Sequence, residues 1–454
     1  MRQVVIIGGS AAGMMAAIAA AEQDKDAKVT VLSNDATAYR RPGIPALISG
    51  YISQPTQVGV FSQRTLTRYN IKLICPAEVI DIGVKEKVIT YESEGKKQQI
   101  SFDSAVIATG GYPIIPKIPG ADKKGVCTFT TFEGARQIVE AAGDAETVVV
   151  IGAGFIALEI AEALMHKGLE VYFNVRSRIL RKLVEPEISE YLSSRFRQHR
   201  LRMLTGEAIS EIGGGKSVQY IIHKGEKIPT TVVIMGAGMK PNVTLAEKCG
   251  IKLAQSGAIQ VDNRMQTLVP NIYAAGDCAE SPDLGTGKFM YSPVGSIGAM
   301  AGRIAGRNAA GGDEQTKGFL RAQADEILGV QIFSIGHSTT TAKEVGLEVK
   351  VQDLTAPEQA DRDYGPRAFE LAKLLTDKKD RIVGAQLVTS RHGSQYAWQL
   401  YRAVLTSEDK TEFLEHFKSP RAKFAKVLME AVTSTISVES FEGGESLIWR
   451  HTPE

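Results

Sequence analysis

Residues 4–17 read VVIIGGSAAGMMAA, and residues 148–161 read VVVIGAGFIALEIA. In each stretch four β-branched residues form a buried strand, a glycine-rich turn follows, and a helix begins at once. A second strand comes after each: Lys28–Leu32 (KVTVL) after the first and Glu170–Val175 (EVYFNV) after the second. A strand–turn–helix–strand unit that occurs twice predicts two doubly wound α/β sheets, each with a nucleotide crevice at the end of its first strand.

The glycines explain why the turns suit a pyrophosphate. Free backbone N–H groups and the helix dipole converge at a helix N-terminus, and glycine lets a phosphate approach the backbone closely. In the G-x-G-x-x-G pattern the first glycine makes the turn, the second admits the pyrophosphate and the third lets helix pack on strand. The first copy places Gly8, Ser10 and Gly13 at these positions, and the second places Gly152, Gly154 and Ala157, with Glu159 just beyond.

Other short apolar runs fit around the two units. Ser104–Thr109 and Thr231–Met235 are each followed immediately by glycine, and Ile272–Ala275 runs into Gly276-Asp277. Beyond about Phe319 the texture changes. Val330–Ile335, Phe369–Thr376 and Ile382–Val388 read as strands, the last two joined by the polar turn Asp377–Asp380, and helical segments follow at Trp398–Leu405 and Arg421–Val432.

Composition narrows the function classes. With 53 Lys and Arg against 51 Asp and Glu, the 454-residue chain has a formal charge of only +2, which gives no electrostatic case for nucleic acid or an anionic membrane. Glycine, at 44 residues, exceeds the average, and its excess is concentrated at the strand ends named above. Cys75, Cys127, Cys249 and Cys278 are widely spaced and form no C-x-x-C, which excludes a disulfide framework and a zinc or iron–sulfur ligand set. The seven histidines are scattered and none is assigned a catalytic role. Few cysteines, and glycines that interrupt the apolar N-terminal run, fit a cytoplasmic protein with no membrane span.

The ordered motifs VVIIGGSAAG, AVIATGGYPIIPKIPG (105–120), VVVIGAGFIALE and NIYAAGDCAE (271–280) resemble those of the FAD-dependent pyridine nucleotide–disulfide oxidoreductases. GAGMKPN (236–242) is similar to that family's return from the NAD(P)H domain to the FAD domain. The C-terminal LLTDKKDRIVGAQLV is similar to the dimerisation domain of its NADH oxidase and coenzyme A disulfide reductase branch. The resemblance implies two Rossmann-like domains plus a C-terminal α+β dimerisation domain, and hence a homodimer or a component of a larger complex. The expected boundaries are 1–113 and 244–318 for FAD, 114–243 for NAD(P)H, and 319–454 for the interface domain.

Carried over residue by residue, the resemblance assigns Gly8, Ser10, Ala12 and Gly13 to the FAD pyrophosphate. It lays Ala108, Thr109 and Gly110 along the FAD and puts Gly276 and Asp277 at its ribityl or pyrophosphate region. Gly152, Gly154, Phe155, Ile156 and Glu159 would hold the nicotinamide nucleotide, with Glu159 toward the nicotinamide end. Gly236 and Gly238 would lie at the return to the FAD domain. Cys278 is expected to be structural.

Three departures sharpen the expectation. The first unit lacks the family's ribose-binding acid after Leu32, leaving Ser33 or Asn34 for the adenosine ribose. The second carries Arg176 and Arg178 where a carboxylate would favour NADH. These guanidiniums suit the 2′-phosphate of NADPH, or else belong to a solvated basic face continuing through Arg181 and Lys182. Finally, alignment on Gly43-Ile44-Pro45 puts Pro42 where the oxidase and disulfide reductase branch has a flavin-side cysteine, and proline has no thiolate to offer.

The Y-x-R-P segment is instead similar to cysteine-free rubredoxin and ferredoxin reductases and to NAD(P)H-coupling flavin subunits. By that likeness Arg41 would lie over the FAD; the alternative is a helix-start Pro42 beside a solvated Arg41. The expected function is therefore an FAD-dependent NAD(P)H oxidoreductase that exchanges electrons with a protein electron carrier or an iron–sulfur partner subunit. Two other functions fit the same motifs: a flavin-only NAD(P)H oxidase reducing oxygen or a small electrophile, and a redox-switched binding flavoprotein. The basic run EHFKSPRAKFAK (415–426) is either a docking face for an acidic carrier or a solvated helix surface.

Overall fold

Strand Gln3–Ile7 lies at the centre of a five-stranded parallel sheet whose spatial order is Ile272–Ala274, Ser104–Ile107, Gln3–Ile7, Lys28–Leu32 and Ile71–Ile74. The computed structural model describes residues 1–35, 43–53, 63–129, 131–355, 369–390 and 393–417. The second repeat builds a separate five-stranded parallel sheet, ordered Arg202–Thr205, Glu170–Val175, Thr147–Gly152, Val232–Gly236 and Val126–Cys127. In both sheets the strand before the glycine-rich turn is flanked on each side, so its Val and Ile residues are buried on both faces, as parallel strands require.

A third sheet is antiparallel. Its order is Ala322–Ile327, Val330–Gly336, Ile382–Thr389, Leu371–Thr376 and Lys350–Asp353, with helix Ser394–Leu405 packed against it. The sequence reveals its inner strands. Ala322–Ile327 and Lys350–Asp353 were not expected, because they lie at the edges and carry charged, partly exposed side chains with no apolar alternation. This sheet shares a core with the second parallel sheet: Ile327, Val330, Ile332 and Val388 pack among Phe155, Leu158, Leu183 and Ile188. Hydrogen bonds fix the same seam. The buried Glu185 accepts from Thr339 N (2.9 Å) and Thr339 Oγ1 (2.7 Å), and Ser334 Oγ donates to Leu183 O (2.7 Å).

The first repeat's helix, Ala11–Gln23, is apolar nearly all round because it is covered on both sides. One side meets its sheet and the other meets helix Gly295–Ala309. That second contact is made by backbone. A Cβ at Gly302 would sit 2.1 Å from Ala12 O, and one at Gly306 would sit 2.0 Å from Ala16 O. Gly298, one turn earlier, lies against Gly276. Glycine at every fourth position gives the helix one face with no side chains, where two main chains can touch.

Gly302→Ala is therefore expected to lower stability by about 1–3 kcal/mol through overpacking. It should also lower the FAD-to-protein ratio of the purified protein, because Ala12 belongs to the glycine-rich turn. Gly215→Ala, whose Cβ would meet nothing within 4 Å, should change neither quantity. Urea unfolding with flavin quantitation measures both, and equal behaviour of the two variants would contradict the backbone contact.

Candidate functional site

At the first turn the backbone is shaped as phosphate binding needs. Gly8 has φ +116, and a Cβ there would meet Ala108 O at 2.1 Å; a Cβ at Gly13 would meet Gly8 O at 1.9 Å. Neither position accepts a side chain. Helix Ala11–Gln23 starts from Ser10 with no side-chain cap, so its leading N–H groups point into the turn. Ala12 lies against Gly276, where a Cβ at φ +83 would approach the Ala12 Cβ to 2.8 Å. Asp277 follows, packed beside Gly111. Gly8, Ser10, Ala12, Gly13, Ala108, Gly276 and Asp277 thus converge at the C-terminal edge of one parallel sheet, where ligands of open α/β sheets bind.

Helix Gly295–Ala309 also begins here, with no side-chain cap at Val294 and open space beside Gly295. It was not among the expected site elements. Its three glycines at four-residue spacing were the available signal.

Thr109 and Gly110 have a role that sequence reasoning missed. Thr109 Oγ1 donates to Asn242 O (2.8 Å), and Asn242 N donates to Gly110 O (2.9 Å). With the antiparallel pair Gly111–Pro113 and Met239–Pro241, these bonds clamp together the two chain crossings between the parallel sheets. Gly238, at φ +109, lies in the second crossing. Ser33 is buried, with its Oγ directly against Gly9, whereas Asn34 is exposed. Arg41 and Pro42 lie outside the described residues, as does the basic run from Lys418 onward.

The second turn is built the same way. A Cβ at Gly152 would lie 2.5 Å from Gly236 O, and one at Gly236 would lie 2.9 Å from the Ala157 Cβ, so Gly152, Gly236 and Ala157 interlock. Gly154 caps helix Phe155–His166 without a side-chain bond and faces open space, which leaves its N–H groups available. Phe155 is buried and Ile156 is exposed. The two arginines separate. Arg178 spends its guanidinium inward, donating to Val184 O (2.5 Å), Ser189 Oγ (2.8 Å) and Arg181 O (3.1 Å), while Arg176 is exposed.

Glu159 lies one turn into the helix, hydrogen-bonded to the Asp325 side chain of the antiparallel sheet. Burial first, and then that bond and the charges of Asp325 and Glu162, raise its carboxyl well above the usual range. Glu162, on the same helix face, accepts from Leu328 N (2.8 Å), and burial pushes it up to about 7.

All four thiols are raised, by burial in each case. Cys278 is fully enclosed, and its Sγ lies 3.4 Å from Ile107 O and 3.3 Å from Ala275 O. Among the described residues no group of His, Cys, Asp and Glu is placed to hold a metal ion, and no helix is long and apolar enough to cross a membrane.

A carboxyl held above its unfolded-chain value binds its proton more tightly in the folded state. The stability that Glu162 contributes is thus complete below the ordinary carboxylate range and is lost as pH rises through about 7. Glu162→Gln keeps an acceptor for Leu328 N and removes the titration. Its thermal midpoint is expected to decline less than the wild-type midpoint between about pH 5 and about pH 8, and parallel declines would contradict the assignment.

Comparison with known proteins agrees with this geometry. Residues 2–291 match the family model described as pyridine nucleotide-disulphide oxidoreductase. An NADH oxidase of Methanocaldococcus jannaschii is 29% identical over 392 residues, covering 85% of this chain and 87% of that one. A CoA-dependent NAD(P)H sulfur oxidoreductase of Pyrococcus furiosus is 33% identical over 391 residues, covering 85% and 88%. The solved NAD-dependent persulfide reductase from A. fulgidus superposes with a TM-score of 0.85 at 28% identity, covering 95% of this chain and 84% of that one. Two glycine-shaped turns on two parallel sheets, matched by family and by relatives over most of its length, place the chain in the pyridine nucleotide–disulphide oxidoreductase family.

Proposed function

We propose that the protein is an FAD-dependent NAD(P)H oxidoreductase that works without a redox-active cysteine and exchanges electrons with a protein electron carrier or an iron–sulfur partner subunit. Its membership of an NAD(P)H oxidoreductase family is established above, and FAD and NAD(P)H are its cofactors. The observation that carries the finer reading is Pro42 in place of a flavin-side cysteine. The raised thiols support it: none of the four is held as a thiolate, the form that thiol–disulfide chemistry needs.

FAD, when bound, supplies the hydride acceptor and can release electrons singly. The chain's residues bind and orient. The turns at Gly8–Gly13 and Gly152–Ala157 present N–H groups to the two pyrophosphates, with Asp277 accepting hydroxyl hydrogen bonds at the first site. The Thr109–Asn242 clamp fixes one sheet against the other, so that both nucleotides meet in one orientation. Of the two arginines, Arg176 is the one with a guanidinium open to a 2′-phosphate, because Arg178 is engaged by carbonyls.

A second reading, an oxidase reducing oxygen, is favoured by the relatives named NADH oxidase. Stopped-flow reoxidation separates the two. The carrier reading expects the reduced protein to react slowly with air and fast with rubredoxin, ferredoxin or a co-purifying subunit. Reoxidation by air faster than by any of these proteins would contradict it. For the nucleotide, reduction by NADPH should exceed that by NADH, and Arg176→Ala should remove about tenfold of this preference. Reduction by NADH at least about tenfold faster in the wild type would overturn the role of Arg176.

A further inference from the structure

The pairing of Glu159 with Asp325 is not explained by either dinucleotide turn. Helix Phe155–His166 leaves the second turn carrying Glu159 and Glu162 on one face. Against it lies the hairpin Ala322–Ile327 and Val330–Gly336, closed by Leu328 and Gly329 at φ 50 and 73, a two-residue turn with both φ values positive. The tip is tied to the helix by the bond from Leu328 N to Glu162 Oε1 (2.8 Å), and this brings Asp325 onto Glu159. A carboxylate only accepts hydrogen bonds, so two carboxyls that bond to each other hold a proton between them.

The surroundings favour keeping that proton. Glu162 on the helix is a like-charge neighbour of Glu159, and Glu326 on the hairpin, accepting from Gln331 Nε2 (3.2 Å), is one of Glu162. Three other elements pack on the helix, Ile44–Ser49, Thr147–Gly152 and Val232–Gly236, and they carry no ionisable side chain. Glu170–Val175 contributes Glu170 and Tyr172, both engaged by Arg202. Helix residue His166 and the adjoining Lys167 lie at the far end of the helix, about two turns from Glu159.

We propose that Asp325 is a positioning residue for the nicotinamide nucleotide: it holds Glu159 through a shared proton, so that a free Glu159 oxygen accepts a hydrogen bond from the nicotinamide carboxamide. This rests on the reading of Glu159 as a nucleotide-binding residue. When rising pH removes the shared proton to solvent, two like charges face each other, the carboxyls separate, and Glu159 loses its fixed orientation. Nucleotide binding is therefore tight on the acid side of the pair's titration and weaker on the alkaline side. The edge strand of the antiparallel sheet thereby contributes to a site whose other residues lie on the turn and helix that follow strand Thr147–Gly152.

The test uses the oxidised, FAD-loaded protein and NAD+, which does not reduce the flavin. Its Kd is measured between about pH 6 and about pH 9, in a Glu162→Gln background so that only the pair titrates. The Kd is expected to rise about tenfold with pH, and Asp325→Asn, which can donate to an ionised Glu159, should flatten the profile. An unchanged profile in Asp325→Asn, or a flat one in its parent, overturns the proposal while leaving Glu159 at the nucleotide if Glu159→Ala weakens binding. If Glu159→Ala leaves Kd unchanged at every pH, the assignment of Glu159 itself falls, and the proposal with it. Infrared spectra of the nucleotide-free protein give an independent arm. In the Glu162→Gln background, which removes the carboxyl that titrates at about 7, a protonated-carboxyl stretching band at neutral pH should vanish on adding either Glu159→Gln or Asp325→Asn, and its persistence in both would overturn the shared proton.

Discussion

Contact between two main chains, without side chains between them, governs the first glycine-rich turn. Helix Gly295–Ala309 meets Ala12 and Ala16 through Gly302 and Gly306, at distances where any Cβ would collide with a carbonyl. Because Ala12 is itself in the glycine-rich turn, this contact fixes the turn from behind. It also brings the leading end of the second helix to the same sheet edge. Gly276 and Gly298 continue the contact as far as Asp277. Two helix N-termini, neither capped by a side chain, then face one region. Uncompensated N–H groups are costly to a fold on its own terms but favourable where an anionic cofactor is held.

The second site depends on its neighbours in a different way. Its turn is interlocked locally by Gly152, Ala157 and Gly236, yet the helix that follows is pinned by the antiparallel sheet. Ile327, Val330 and Ile332 share its core, and Leu328, Thr339 and Ser334 bond across the seam. The C-terminal sheet is thus a structural support of the second parallel-sheet unit. Burying carboxyls at this seam raises Glu159 and Glu162, so the seam is one place where pH acts on the molecule.

Local patterns made much of this visible in the sequence. Four β-branched residues followed by a glycine-rich turn can hardly form anything but a buried strand leading into a helix, and both copies do so. The glycine positions could be assigned because a backbone constraint is written in a single residue type. The contact face of helix Gly295–Ala309 was legible in principle from Gly298, Gly302 and Gly306, but their spacing does not say which helix they meet. Arg178 shows a firmer limit: its sequence context suits a phosphate, and only the fold reveals that carbonyls and Ser189 engage its guanidinium. The Glu159–Asp325 pair was invisible for the same reason. Asp325 lies on an edge strand without apolar periodicity, and nothing local marks its partner.

The absent cysteine is the central functional claim, and it has a direct electron count. Anaerobic titration of the FAD-loaded protein with NAD(P)H should end at about one reducing equivalent pair per FAD, with the flavin spectrum bleaching from the first addition. A flavin-side cysteine redox centre would store a second pair before or alongside the flavin. Consumption of about two NAD(P)H per FAD before the spectrum stops changing would contradict the account.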